Sequence, residues 1–160
     1  MDSMPITRAG YEKLKKDLEH LKKVAVPENV RAIEEARAHG DISENAEYAA
    51  AKERQSFIQG KIQEIENNLA TSKIIDLKSL TDDKVVFGST VSIQSLDSDE
   101  MTRYQLVGPC ESDIAKNKIS VTSPIGKALI GKEIGDVVKV KTPGGIRELE
   151  IMDIEIEEEV

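Results

Sequence analysis

The stretch from Gly40 to Tyr48 reads Gly-Asp-Ile-Ser-Glu-Asn-Ala-Glu-Tyr and places the carboxylates of Asp41, Glu44 and Glu47 close together in the chain. An Asp and a Glu three residues apart at the start of a helix can point in the same direction, and carboxylate oxygens are ligands that Mg²⁺ prefers. Two carboxylates hold such an ion too weakly by themselves. We therefore predict that Asp41 and Glu44 form half of a metal site that another molecule completes.

The same residues also fit a purely structural role at the start of a helix. Asp41 is a favourable N-cap, and Glu44, three residues later, completes a pattern like a capping box. Glu47 would follow in the first turns, where the helix dipole favours negative charge. On this motif alone, capping accounts for all three acids without any function, and both interpretations stay open at this point.

Two helical patterns flank the acids and predict the arms of an antiparallel coiled-coil hairpin. The first pattern begins after Thr7, a favourable N-cap, and stops at Gly40, which fits a left-handed C-cap. Pro27 interrupts it and predicts a kink or a brief break of the helix. The seam of this arm is expected at Tyr11, Leu14, Leu18, Leu21, Ala25, Val30, Ile33, Ala36 and Arg37.

The second arm is predicted from about Ser43 to about Ala70. A short loop between two helices makes them pack antiparallel, so the acids lie at the far end of a long rod. Carboxylates held away from a protein's own body indicate delivery of charge to a site on another molecule. The inner face of this arm is expected at Ala46, Ala49, Ala50, Phe57, Ile58, Ile62, Ile65 and Leu69.

From about Ile74 the pattern changes to the alternation typical of short strands. One short helix is predicted from Ser123 to Lys132, ended by Gly131. The fold class is therefore α+β, with the antiparallel coiled-coil hairpin in residues 1–76 and a globular domain in residues 77–160, built on an antiparallel sheet with one helix. The strands are expected at Val85–Phe87, Thr90–Ile93, Met101–Val107, Ile119–Val121, Val137–Val140 and Leu149–Met152.

Composition excludes several classes of function. The formal net charge is -8, and most of this net negative charge lies in the second half, so broad binding of the DNA backbone is not expected. The single cysteine, Cys110, has no partner for an internal disulfide, and His20 and His39 do not make a metal site. No apolar run is long enough to span a membrane and no signal-peptide core is present, so we expect a soluble cytoplasmic protein without a membrane partner.

Two motifs carry a resemblance to a known family. Residues 36–48, followed by Ala51-Lys52-Glu53, closely resemble the hairpin tip of the bacterial transcript cleavage factors of the GreA/GreB family. Residues 123–132, with Gly135-Asp136, resemble that family's C-terminal signature. The resemblance covers essentially the whole chain, and it is closer to the GreA branch because the hairpin lacks a large basic cluster.

The resemblance implies a mechanism in which RNA polymerase is the partner. In this family the globular domain has an FKBP-like fold and docks at the rim of the polymerase's secondary channel, while the hairpin threads that channel. The matching tip residues, Asp41 and Glu44, would help hold a second Mg²⁺ shared with the polymerase active site and orient the attacking water. The polymerase then cleaves the 3′ end of backtracked RNA. The protein itself would be no enzyme, would bind no cofactor alone, and is expected to be a monomer.

Further site residues are predicted at the hairpin and in the globular domain. Arg37, Lys52 and Arg54 are predicted to contact the extruded RNA, and ordinary solvated ion pairs on the hairpin surface are an equal alternative. Ser123, Pro124 and Ile125 are predicted to form part of the polymerase-docking loop, with a simple proline turn as the alternative. Ile42 stands where the family often has Leu, a conservative difference.

Two other functions remain as alternatives. An FKBP-like fold suggests a prolyl isomerase or chaperone, but that chemistry needs an apolar pocket lined by aromatics, and the second half supplies only Phe87 and Tyr104. A channel-binding inhibitor of RNA polymerase would dock without promoting cleavage. The intact pair of Asp41 and Glu44 argues against an inhibitor.

Overall fold

A computed structural model describes residues 3–40, 45–77 and 80–156. The chain divides into two compact units, which are described separately below. One unit is Glu12–Thr71, and the other joins the start of the chain, up to Tyr11, to the residues from Ser72 onward. The predicted α+β class is confirmed, since the first unit is helical and the second contains a five-stranded sheet.

The helical unit contains the two predicted arms. The first arm consists of α1 (Arg8–His20, whose first residues belong to the other unit), a π-helical turn (Leu21–Ala25) and α2 (Val26–Ala38). The second arm is α3 (Ala46–Thr71). Gly40 follows α2 with a φ of 129°, a conformation that residues with a side chain rarely adopt. The prediction that the first arm ends at this glycine is confirmed.

The π-helical turn lies immediately before Pro27. The N–H of Val26 donates to the carbonyl of Leu21, five residues earlier instead of four. Proline has no N–H to donate, and its ring would collide with the carbonyl four residues before it in a regular α-helix. A wider turn accommodates that ring without ending the helix. The first arm is therefore helical without interruption from Arg8 to Ala38, and the predicted brief break does not occur.

The π-helical turn also shifts the residues that face the second arm. Beyond Ala25 the buried positions of the first arm are Asn29, Ile33 and Ala36. Val30, which was predicted to lie in the seam, is 43% exposed. On α3 the buried residues repeat every seven positions, at Ala51, Ile58 and Ile65. Phe57 was predicted to be inside and is instead 71% exposed, because its neighbour Ile58 occupies the inner face.

Asn29 is a buried polar residue in this seam. Its Nδ2 donates to the backbone carbonyl of Ala51, at 3.0 Å, and its exposure is only 4%. A side chain this short reaches the backbone of the opposite helix only where the residues between them are small. Ala51 is therefore part of the reason that the bond can form. A buried amide with one matching acceptor fixes the register of the two helices.

The second unit is organised around the five-stranded sheet. In the order β5-β4-β3-β7-β6, all neighbours are antiparallel except β4 and β5, so the sheet is mixed instead of purely antiparallel as predicted. A short helix, α4 (Pro124–Leu129), lies in the region predicted to be helical. The strands are β3 (Ser89–Ser95), β4 (Met101–Val107), β5 (Lys118–Ser120), β6 (Val137–Thr142) and β7 (Gly145–Ile156).

The core of this unit lies on the face of the sheet covered by α4. Leu129 is fully buried, and Ile125 and Ala128 pack against the same cluster. Val85 is fully buried as well, but the segment Val85–Phe87 is not the strand that was predicted. The backbone of Val85 instead bonds to the loop after α4, with its N–H donating to Lys132 and its carbonyl accepting from Gly131, both at 2.8 Å.

The start of the chain is held in the second unit by Glu111. The strand β1 (Met4–Ile6) pairs in parallel with β2 (Ser72–Ile74). Just after β1, the N–H and the hydroxyl of Thr7 both donate to the Glu111 carboxylate, the N–H at 3.0 Å. The N–H of Gly108 donates to the same carboxylate at 2.9 Å. Thr7 also caps α1, because its hydroxyl oxygen accepts from the N–H of Gly10 at 3.0 Å.

None of the helices in the described parts of the chain combines the length and the apolar character needed to cross a lipid bilayer.

We expect Glu111→Ala to destabilise the second unit. The substitution removes the acceptor of three hydrogen bonds, and we expect the free energy of unfolding to fall by about 2 kcal/mol for a half-buried carboxylate. Urea denaturation followed by circular dichroism measures the change. Glu133→Ala, at an exposed position in the same unit, is the control and should stay within about 0.5 kcal/mol of the original chain. Equal effects of the two substitutions would contradict the assigned role of Glu111.

We expect the thiol of Cys110 to ionise only at elevated pH. Burial, and secondarily the charge of the adjacent Glu111, raise the pKa of this thiol above its ordinary value. Because the thiolate is the reactive form, alkylation of the folded chain should have its pH midpoint above that of the urea-unfolded chain. Iodoacetamide rates measured across a pH series test this. A midpoint equal to or below that of the unfolded chain would contradict it.

Candidate functional site

The two predicted metal ligands, Asp41 and Glu44, lie outside the described residues. Their flanks are described. Gly40 closes the first arm with a positive φ, and Asn45 precedes the first residue of α3. The candidate site is therefore residues 41–44, and the described residues on either side of them are Gly40 and Asn45.

Asn45 binds both arms at these ends. Its Oδ1 accepts from the N–H of Tyr48, at 3.1 Å, which is the bond of a helix N-cap. Its Nδ2 donates to the carbonyl of Ala36, one of the last four carbonyls of α2, which lack regular helical partners. An N-cap role was one of the two interpretations of Asp41, which itself lies outside the described residues. Among the described residues, α3 begins at Ala46 and Asn45 caps it.

Glu47 and Tyr48 lie in the first turn of α3. Glu47 is exposed there, as the helix dipole favours. Tyr48 is half-buried, and the guanidinium carbon of Arg37 lies 5.8 Å from the centre of its ring. This distance is within the range of a cation–π interaction. Arg37 and Tyr48 belong to different arms, so their contact is a second link between the arms beside the one made by Asn45.

The three residues predicted to contact RNA do not share one face of the hairpin. Lys52 follows Tyr48 by four residues and therefore lies on the same side of α3, the side that Arg37 contacts. Its ammonium donates to Oε1 of Gln55 at 2.8 Å. Arg54 is two residues beyond Lys52, which corresponds to a rotation of about 200° around the helix. It therefore lies on another side.

Arg54 lines a groove between the two arms. The groove has a volume of about 400 Å³, and its floor is formed largely by the small side chains of Ala32, Ala50 and Ala51. Two carboxylates, those of Glu28 and Glu47, line the same groove. The positive charge of Arg54 is thus accompanied by two negative charges, and the groove as a whole does not attract phosphate.

The predicted docking loop has a clear local structure. Ser123 caps α4, since its hydroxyl oxygen accepts from the N–H of Gly126 at 3.1 Å and the hydroxyl donates to the carbonyl of Ser120 at 2.6 Å. Ile125 packs against the core of the second unit. Of the three predicted docking residues, Pro124 alone is exposed. The role of these residues in docking stays a prediction.

Two asparagines that join the two arms by hydrogen bonds were missed from the sequence. Asn45 follows a run that already looked like a capping box, yet Asn is among the best N-cap residues and its position before the helix formers Ala46 and Glu47 could have identified it. Asn29 was missed because a polar residue is not expected in an apolar seam. A single Asn that sets the register of a coiled coil is the known exception, and this would have been the signal.

Comparison with protein families gives the same assignment for both parts of the chain. A model of the N-terminal domain of transcription elongation factors of the GreA/GreB family matches residues 4–74. The model described as the C-terminal part of the transcription elongation factor GreA/GreB matches residues 80–156. Together the two models match most of the chain.

Individual relatives are similar over nearly the full length. The chain is 67% identical to the transcription elongation factor GreA of Syntrophus aciditrophicus over 156 residues, which cover 98% of this chain and 97% of the relative. It is 54% identical to the protein of the same name from Methylococcus capsulatus, over 96% of this chain and 98% of the relative. The similarity to proteins named GreA agrees with the branch predicted from the sparsely basic hairpin.

Proposed function

The chain belongs to the GreA/GreB family of transcription elongation factors, and from that premise we propose that it rescues arrested RNA polymerase by stimulating transcript cleavage. In this proposal the factor acts with RNA polymerase, docks at the rim of the secondary channel and inserts its hairpin. Asp41 and Glu44 then reach the polymerase active site. The polymerase carries out the cleavage of backtracked RNA, and the factor is not itself an enzyme.

The capping of α3 by Asn45 is the observation that carries this proposal. From the sequence alone, Asp41 and Glu44 could be explained entirely as capping residues. Because Asn45 holds the cap position and bonds to Tyr48, the helix has no need of Asp41 for that purpose. Capping of α3 is therefore not required to explain Asp41, and we propose that both acids deliver charge to another molecule.

The chemistry of the two carboxylates fits a shared Mg²⁺. Mg²⁺ is commonly bound through one or two carboxylates together with water and substrate phosphate oxygens. Asp41 and Glu44 would hold the ion from the side of the factor, and polymerase and RNA would supply the remaining ligands. When bound, such an ion activates the attacking water and offsets charge that develops on the phosphate. The factor's own residues contribute negative charge at a defined position.

The isomerase alternative is disfavoured by the packing of the second unit. The cavity lined by Tyr104, Ile125 and Leu149 has a volume of only about 10 Å³, which is enough for a single water molecule. A larger cavity of about 340 Å³ in the same unit has three lysines and no aromatic side chain in its lining. A prolyl ring requires a much larger apolar pocket. Only a cleavage assay can distinguish the inhibitor alternative from the proposed function, because an inhibitor and a cleavage factor can dock on the polymerase in the same way.

We expect Asp41→Ala and Glu44→Ala each to lower the cleavage rate of a backtracked complex by roughly 100-fold at saturating factor, because each removes charge that acts only in the transition state. Binding to polymerase should change little. The measurement is cleavage of end-labelled RNA in purified arrested complexes, with binding followed by competition. Glu53→Ala, an exposed acid further along α3, is the matched control. A double variant that cleaves as the original chain does would refute the tip mechanism.

We expect Lys52→Gln to weaken binding to backtracked complexes more than Arg54→Gln does. Lys52 lies on the side of the hairpin that carries Arg37, whereas the charge of Arg54 is countered within its groove. Loss of one phosphate contact should lower the slope of log affinity against log salt by about 0.7. The comparison is made with and without extruded RNA. A larger effect of Arg54→Gln, or an effect of Lys52→Gln without extruded RNA, would contradict this assignment.

A further inference from the structure

The side chain of Asn45 links the end of one arm to the start of the other. It accepts a hydrogen bond from the N–H of Tyr48 in α3 and donates one to the carbonyl of Ala36 in α2. A backbone N–H can only donate and a backbone carbonyl can only accept, so the two partners determine the orientation of the amide. No other side chain in the described residues around the tip bonds to the backbone of both arms.

The partner on the first arm is well fixed. Ala36 is 2% exposed in the seam of the hairpin, and its carbonyl also accepts from the N–H of His39 at 3.2 Å. The carbonyl of Asn45 itself accepts from the N–H of Ala49, at 3.1 Å, as part of the helical ladder of α3. Both atoms that define the link therefore belong to backbone that is held by further bonds.

We propose that Asn45 is a positioning residue for transcript cleavage, which fixes both ends of the connection that carries Asp41 and Glu44. The inference rests on the proposed function. The side chain of Asn45 ties the last turn of α2 to the first turn of α3, and we expect this tie between the two described helix ends to favour the arrangement that the reaction needs. Asn45 contacts neither the metal nor the RNA in this proposal and acts only through the two acids.

The role requires an amide. Aspartate at this position keeps an acceptor for the N–H of Tyr48 but has no donor for the carbonyl of Ala36, and its charge would be repelled by that carbonyl. Serine caps helices as well as asparagine does, but its shorter side chain offers one oxygen to two partners on different arms. Substitution by Asp therefore separates the link between the arms from the cap of α3.

Asn29 supplies a matched control in the same hairpin. Its Nδ2 also donates to a backbone carbonyl of the opposite arm, that of Ala51, and it lies away from the acidic connection. Asn29→Ala removes one hydrogen bond between the arms without touching either end of the tip. A general loosening of the hairpin would affect both substitutions, whereas positioning of the acids would affect Asn45 alone.

The test measures cleavage of backtracked RNA by purified polymerase over a range of factor concentrations. For Asn45→Asp and Asn45→Ala we expect the maximal rate to fall about tenfold, with an unchanged half-saturating concentration. Asn29→Ala should keep the original maximal rate. Amide hydrogen exchange in the free factor gives a readout without polymerase, and exchange at Tyr48 should accelerate in Asn45→Ala and change less in Asn45→Asp, which retains the cap.

The outcomes separate this inference from the function on which it rests. If Asp41→Ala cleaves as the original chain does, the proposed function fails and the role of Asn45 fails with it. If Asp41→Ala loses cleavage while Asn45→Asp keeps the original maximal rate, only the inference about Asn45 is overturned. It is also overturned if Asn29→Ala loses as much maximal rate as Asn45→Asp, because the effect then belongs to the hairpin as a whole.

Discussion

The packing of the hairpin depends on one extra residue that the π-helical turn, Leu21–Ala25, adds to the first arm. A seam that steps by three and four from Leu14 through Ala25 would next bring Glu28, Ala32 and Glu35 to face the second arm, and two carboxylates would then be buried without partners. The π-helical turn takes up one extra residue, so that each facing position moves one place along the chain. The buried positions become Asn29, Ile33 and Ala36, and the glutamates remain in solvent. Packing of the tip half of the rod follows from this shift.

The sequence predicted the existence of the hairpin well and its facing residues only in part. The helical periods, the end of the first arm at Gly40 and the region of the short helix α4 all follow from local chemistry, which a sequence displays directly. Whether Ile58 or Phe57 faces the first arm does not follow from local chemistry, because adjacent apolar residues satisfy a helical pattern equally well. Only the partner arm decides which of the two is covered. Pro27 was recognised as a disturbance, but its accommodation by a wider turn is a property of the packed helix.

At the candidate site as well, some features follow from the local sequence and others depend on the packing of the two arms. The resemblance of the tip motif indicated Asp41 and Glu44, and no local rule contradicted it. Capping by Asp41 was one of two interpretations, because the spacing of an Asp and a Glu matches a capping box. Asn45 takes the cap, for a reason that a single helix does not reveal: its amide also donates to the carbonyl of Ala36 near the end of the other arm. A residue that satisfies two helix ends at once has an advantage over one that satisfies a single end.

The cap of α3 and the link between the arms are both provided by a neutral side chain, that of Asn45. Had Asp41 been the helix cap, its carboxylate would have been committed to backbone N–H groups and less available to a cation. Transfer of the cap to a neutral amide removes that competition. The same reasoning applies to the seam, where Asn29 bonds across the arms through a neutral side chain and the small side chain of Ala51 permits the close approach that this bond requires. Neutral amides thus make the described side-chain hydrogen bonds between the arms in this half of the hairpin.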